Sequence, residues 1–203
     1  MLRVGIYGGA FAPIHNGHVE AAKAFMRQMW LDVLFIIPTG VSPHKEMDKS
    51  ASNADRLEMC RLAFEGVEGV IISDMEMRRE GKSYSVDTLR SLSGEDRRLF
   101  MLCGTDMMLT LDSWNEPEEI FRLCYPVYIR RETDPSLDNV IINKIAEYKE
   151  KFGRNVIRID APVIEASSRE IRTKLRMGED VSDSLDPRVL EYIMQKGLYI
   201  NDN

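Results

Sequence analysis

Short apolar runs alternate with stretches of helical periodicity along this chain, and that alternation limits the folds open to it more than any other feature. Leu2–Tyr7 is an apolar run closed by Gly8-Gly9, and Val33–Ile37 is another closed by Pro38-Thr39-Gly40. Between them Val19, Ala22, Phe25, Met26 and Met29 recur at the spacing of one helix face, so Asn16–Trp30 reads as an amphipathic helix and the N-terminal stretch as a strand-helix-strand unit. Further strands are expected at Val70–Ser73, Leu99–Cys103, Tyr125–Ile129 and Val156–Ile159. Helical patterns fall at Ala54–Glu65, Val86–Ser91, Glu116–Leu123, Val140–Phe152, Ser168–Met177 and Pro187–Lys196, the last ended by Gly197. Strands that alternate with helices predict an α/β fold: a doubly wound, mostly parallel sheet with helices on both faces and a C-terminal helical segment, binding its ligands at the carboxyl ends of the strands.

At 203 residues the chain fits one such domain, residues 1–203, whose C-terminal helical part covers roughly 165–200. With 44% hydrophobic and 30% charged residues it is neither a disordered chain nor a fibrous repeat. No segment approaches the roughly 20 apolar residues of a spanning helix, and Met1-Leu2-Arg3-Val4-Gly5 runs into a strand rather than a signal peptide, so a cytoplasmic protein away from the membrane is expected. Lys and Arg number 27 against 33 Asp and Glu, and the resulting charge of −6 argues against nucleic acid as a partner. A polyanionic ligand would need a local basic pocket. Cys60, Cys103 and Cys124 are odd in number and lack Cys-x-x-Cys spacing, which fits buried free thiols rather than a disulfide framework or a zinc site.

The chemistry is concentrated where strands are expected to end. The first is followed by Gly8-Gly9-Ala10-Phe11-Ala12-Pro13-Ile14-His15-Asn16-Gly17-His18, which is neither the Gly-x-Gly-x-x-Gly dinucleotide fingerprint nor a Walker loop. Its glycines let backbone approach a phosphate, and the helix that follows offers unpaired amides and the positive end of its dipole. His15 and His18 enter that helix three residues apart, where both imidazoles could face one anion and oppose charge in a transition state. The third of the chain's 3 histidines, His44, lies beside Lys45 in the loop after the second strand. Near the C-terminus Ser167 or Ser168 reads as a helix cap, and Arg169 and Arg172 in the first turn would run against the macrodipole unless an anion sat there.

Taken together these segments resemble the nucleotidyltransferase superfamily with the GGxFxPxHxGH motif, and within it the bacterial nicotinate-nucleotide adenylyltransferases. Pro43-His44-Lys45 is similar to that family's Pro-His-Lys loop, Ser83-Tyr84-Ser85-Val86-Asp87-Thr88-Leu89 to its Ser-Tyr-Thr-x-x-Thr-Leu element, Gly104-Thr105-Asp106 with Trp114 to its Gly-x-Asp strand end and tryptophan, and Ser167-Ser168 through Arg172 to its Ser-Ser-x-x-Ile-Arg signature.

The resemblance implies a Rossmann-like nucleotidyltransferase domain with ATP and nicotinate mononucleotide as partners, the adenylyl group passing to the mononucleotide and pyrophosphate leaving. It implies that Gly8, Gly9, Ala10, Phe11, His15, His18, Gly104, Asp106, Ser167, Ser168 and Arg172 bind ATP, and that Lys45, Ser85, Val86, Asp106, Trp114 and Asn115 bind the mononucleotide. His15, His18, Lys45 and Arg172 would serve the transfer itself, Asp106 would anchor a ribose, and Trp114 would stack on the pyridine ring. Mg²⁺ is expected on the phosphates of ATP, since no carboxylate cluster resembles a dedicated metal cage. The chain departs from the family at Ala12, where aspartate is usual, and at Arg169, Asn115 and Glu132-Thr133. Nicotinamide mononucleotide or phosphopantetheine as the acceptor, an inactive nucleotide-binding module, and assembly into a homo-oligomer all remain open on the sequence.

Overall fold

In the computed structural model, residues 1–43, 46, 48–130, 135–161 and 166–200 are described. Six strands, β1 (Leu2–Gly9), β2 (Val33–Pro38), β3 (Val70–Ile72), β4 (Arg97–Gly104), β5 (Cys124–Ile129) and β6 (Ile157–Ile159), form one sheet in the order β3-β2-β1-β4-β5-β6. Every neighbouring pair is parallel, Ile6 lying opposite Phe35 on one side and Met101 on the other. The expected mostly parallel sheet is therefore wholly parallel among the described residues. Strand-to-strand connections are all long enough to carry a crossover helix, and none has the length of a hairpin loop.

The helices are α1 (Asn16–Met29), α2 (Asn53–Ala63), α3 (Ser85–Leu92), α4 (Thr105–Met108), α5 (Pro117–Leu123), α6 (Leu137–Phe152), α7 (Ser168–Arg176) and α8 (Pro187–Lys196). Alternation along each central strand splits the core into two layers. Tyr7, Phe100 and Leu102 face Phe25 of α1, Cys60 of α2, Ile171 of α7 and Ile193 of α8. Val4, Ile6, Met101 and Cys103 face Leu89 of α3, Phe121 of α5 and Tyr148 of α6. Both faces are thus covered, and the C-terminal helices α7 and α8 belong to the first layer rather than to a separate body.

Local chemistry sets several helix ends. The Ser52 hydroxyl accepts from the Asp55 amide at 3.2 Å and the Asp55 carboxylate accepts from the Ser52 amide at 3.0 Å, a reciprocal cap that starts α2. Asp186 caps α8 ahead of Pro187, and Gly197 ends it with φ 63°. Two elements were not legible in the sequence: α4 and a 3-10 turn at Leu111–Ser113, each too short to display a period.

Candidate active site

The order of strands reverses between β1 and β4, so their following crossovers run to opposite faces and a crevice opens at their carboxyl ends. A cleft of about 230 Å³ occupies that place. Gly8, Gly9 and Ala10 from the end of β1 and Gly104 from the end of β4 form part of its wall, with Thr39 and Ser42 after β2, Ser85 at the start of α3, and Trp114.

Two of these glycines have different physical reasons. A Cβ on Gly9 would come within 3.0 Å of the Phe11 ring, so Gly9 is small because the loop folds its own aromatic side chain back beneath it. A Cβ on Gly104 would meet nothing within 4 Å, and its φ of −78° is open to any residue. Nothing in the protein's own packing asks for glycine there. Its bare backbone suits close approach by a ligand.

Beside this cleft the loop after β1 is fastened by side chains that reach in from distant helices. Phe11 has φ 46° and is buried, and the Ala12–Pro13 bond is cis. Arg56 of α2 donates to the Ala10 carbonyl at 2.7 Å, Arg172 of α7 donates to the Ala12 carbonyl at 2.7 Å, and the Ser168 hydroxyl donates to the Pro13 carbonyl at 2.9 Å. Ala12 has no carboxylate with which to brace the loop, and these three bonds hold the carbonyls from outside it.

The two histidines lie together at the start of α1. Their ring centroids are 3.7 Å apart, His15 is buried and caps the helix, and His18 is half-buried. The His15 amide donates to Nδ1 of His18 at 3.3 Å. A backbone N–H can only donate, so Nδ1 carries the lone pair and the neutral ring keeps its proton on Nε2. Phe11 meets His18 edge-on with centroids 5.1 Å apart, which limits the ring's rotation.

At the C-terminal signature the expected helix start holds, and only the placement of Arg172 in the first turn needs correction. Ser167 is the cap, accepting from the Glu170 amide at 3.1 Å, so Arg172 falls in the second turn and not the first. Arg169 is exposed. Arg172 offsets no helix-end dipole; it bonds the Ala12 carbonyl and pairs through Nε with Asp48 at 2.9 Å, while Arg176 lies 3.6 Å from the same carboxylate. Burial alone would push the Asp48 carboxyl up, but the Ser50 amide and hydroxyl and the two arginines hold it below the usual carboxylate range. Asp48 thus gives Arg172 and Arg176 an anion from within the protein.

Of the remaining candidates, Asp106 is exposed at the start of α4, Asn115 is exposed, and the Val86 side chain belongs to the core, leaving its amide as the polar group available. Lys45 and His44 lie outside the described residues, as do Glu132 and Thr133. Two functional candidates were missed in the sequence. Arg56 carried a signal, since it shares the inward stripe of α2 with Met59, Cys60 and Ala63. Glu76 carried none; it is buried beside the cleft and accepts from the Thr88 hydroxyl at 2.8 Å.

Burial pushes the Glu76 carboxyl above its ordinary value of 4.5, against the pull of Thr88, Arg79, Ser83 and Thr39. The folded protein then binds more protons at this site than the unfolded chain, so the stabilisation is full below pH 4.5 and is lost as pH rises through the raised value. Glu76→Gln should flatten the fall of Tm with pH above 4.5; melting curves for both proteins over that range check it, and identical slopes would contradict an upward shift of the Glu76 carboxyl. Burial likewise raises the three cysteine thiols, Cys103 to about 12, so all are neutral.

A parallel sheet with a loop of glycines at its point of reversal, backed by histidines and arginines, defines a nucleotide-binding α/β protein. A cytidylyltransferase-like family model matches residues 6–174. A protein of Synechococcus sp. (strain JA-3-3Ab) named "Probable nicotinate-nucleotide adenylyltransferase" is 35% identical over 201 residues, covering 98% of this chain and 95% of that one. A Geobacter sp. (strain M21) protein of the same name is 35% identical over 214 residues, covering 98% and 99%. Among solved structures, Plasmodium falciparum nicotinic acid mononucleotide adenylyltransferase complexed with NaAD shares the fold, with a TM-score of 0.77 over 98% of each chain at 20% identity. The chain belongs to the cytidylyltransferase-like family and, within it, to the nicotinate-nucleotide adenylyltransferases. Among the described residues no helix is long and apolar enough to cross a membrane.

Proposed function

We propose that the protein transfers the adenylyl group of ATP to nicotinate mononucleotide, forming nicotinate adenine dinucleotide and pyrophosphate. The observation that carries this reading is a cleft at the sheet's reversal point with the Gly8-Gly9 turn in one part of its wall and Ser85 and Trp114 in another. Alignment with adenylyltransferases over 98% of the chain supports it.

The chemistry asks little of the protein beyond placement. A phosphate oxygen of the mononucleotide attacks the α-phosphorus of ATP, the bond to the β-phosphate oxygen breaks, and pyrophosphate leaves with the electron pair. The attacking phosphate is already ionised at neutral pH, so no serine, cysteine or general base is needed. Catalysis then rests on bringing two polyanions together and opposing the charge that builds up.

In this reading the backbone at Gly8, Gly9 and Ala10 lies along the phosphates of ATP, Gly104 leaves room for the nucleotide, and Asp106 bonds ribose hydroxyls. His18 donates from Nε2 to oxygens whose charge grows in the transition state, with His15 stacked behind it. Ser168, next to its cap Ser167, and Arg172 take the terminal phosphates, displacing the Asp48 carboxylate from the arginine. Trp114 stacks on the pyridine ring, and the amides near Ser85, Val86 and Asn115 receive the nicotinate carboxylate. Lys45 is assigned to phosphate on the motif alone.

Among the described residues no group of three His, Cys, Asp or Glu side chains could hold a metal. Phosphate oxygens make suitable ligands for Mg²⁺, which takes few protein ligands when it binds with a nucleotide. The residues present fit a magnesium carried on ATP, where it would spread the charge of the departing pyrophosphate. Three neutral, unpaired thiols suit a reducing compartment, and a cytoplasmic location is proposed on that ground.

Pyrophosphate release from ATP and Mg²⁺, measured with nicotinate mononucleotide, nicotinamide mononucleotide and phosphopantetheine in parallel, tests the reading. The nicotinate form should turn over fastest. Release with phosphopantetheine alone, or with no acceptor, would overturn it.

A further inference from the structure

Arg56 is an unusual residue to find where it is. It projects from the inward face of α2, only 1% exposed, in the layer that contains Cys60 and Tyr199. One arm of its guanidinium donates to the Ala10 carbonyl at 2.7 Å; the other donates to the Thr39 carbonyl at 2.7 Å and to the Asn53 side-chain oxygen at 2.6 Å. Ala10 follows the glycine turn at the end of β1, and Thr39 opens the loop after β2. Those two segments are also linked directly, the Thr39 amide donating to the Gly9 carbonyl at 2.9 Å. A planar fork with donors at fixed spacing suits a bridge between two carbonyls.

The charge is the second observation. Buried charges are normally paired with an opposite one. Among the described residues Arg56 makes no ion pair, and the titratable groups closest to it electrostatically are the Tyr199 hydroxyl and the Cys60 thiol, which burial keeps neutral. Arg172, by contrast, already has Asp48. Arg56 thus has no ion-pair partner of its own among the described residues: its guanidinium is bonded to carbonyl and amide oxygens, and of the carboxylates Glu46 and Asp48 that line a cavity with it, Asp48 is already paired with Arg172.

We propose that Arg56 is a positioning residue that fixes the spacing between the loops after β1 and β2, and that its buried charge finds its counter-ion in the triphosphate of bound ATP. The proposal rests on the adenylyl-transfer reading for the identity of the anion. It does not require Arg56 to touch the nucleotide, because a charge buried in low dielectric acts over a longer range than one in water.

Two variants of the full chain separate the two roles, with ATP and adenosine as calorimetric probes and pyrophosphate release as the rate. Arg56→Met should weaken ATP about tenfold or more, the weight of one charge-assisted interaction, and leave adenosine within about twofold. Arg56→Lys keeps the charge and loses the fork, so ATP binding should return to within about threefold while kcat stays down on the order of 10²-fold from misplacement, with both KM values near wild type. Equal weakening of ATP and adenosine by the Met variant would reduce Arg56 to a packing residue and overturn the charge role. A Lys variant with wild-type kcat would overturn the spacing role. If the Met variant does not fold, the Lys variant decides alone, since selective loss of ATP over adenosine in a side chain that keeps its charge also contradicts the proposal. Absence of turnover by the wild-type protein with nicotinate mononucleotide would sink the adenylyl-transfer reading instead, and the comparison of ATP with adenosine would still judge the charge of Arg56.

Discussion

Replacing His18 by alanine lowers turnover by a factor on the order of 10²–10³, the usual cost of one preorganised donor to a developing oxyanion. The ring is aimed before any ligand arrives: Nδ1 is occupied by the His15 amide at 3.3 Å, and Phe11 and His15 lie against its faces and edge. A donor fixed in this way costs no reorganisation when charge moves onto the phosphate oxygens. The loss should therefore appear equally in kcat and in kcat/KM, the mark of an interaction made only in the transition state. The same substitution removes one partner of an N-terminal amide of α1, worth about 0.5–2 kcal/mol of stability. Steady-state kinetics run well below the variant's Tm separates the two effects, and near-normal rates there would take His18 out of the mechanism.

Trp114→Ala raises the KM for nicotinate mononucleotide about tenfold to a hundredfold, as expected for one aromatic stacking partner worth roughly 1–3 kcal/mol. ATP should be affected by less than about threefold. The reason is position. Trp114 closes the 3-10 turn at Leu111–Ser113 and is half-buried in the cleft wall, on the side of α3 rather than of the glycine turn. Two residues beyond it, Glu116 accepts from both arms of the Arg90 guanidinium of α3 at 3.0 and 2.5 Å. That pair is exposed and contributes little energy. Separate titration of the two substrates checks the prediction, and an equal rise in both constants would contradict stacking on the pyridine.

The difference between His18 and Arg172 shows how far a sequence can be read. His18 was identified from its spacing to His15 and its place after a strand, and the structure keeps the pair together at the start of α1. Arg172 stands out both in the Ser-Ser-x-x-Ile-Arg signature and in an argument about helix dipoles, and only the second fails, because with Ser167 as the cap the arginine is the fifth residue of the helix, past its first turn. Its partners, the Ala12 carbonyl and Asp48, are 160 and 124 positions away in the chain, beyond any local rule. The central strands β1, β2, β4 and β5 were legible because both of their faces are buried along most of their length, which leaves nearly uninterrupted apolar runs. The turn of α4 and the buried Glu76 were not, since one is shorter than a helical period and the other sits among polar residues with no pattern at all.

By itself the sequence determined the alternation of strand and helix, hence a parallel sheet, and the segments that carry polar chemistry, because side-chain periodicity and glycine or proline punctuation are local properties of the chain. Only the tertiary structure decided that the sheet reverses between β1 and β4, that Arg56, Ser168 and Arg172 converge on the carbonyls of one loop, and that Asp48 rather than a helix end faces the arginine. Those facts depend on contacts between residues far apart in sequence, whose free energy exists only once the core has brought them together.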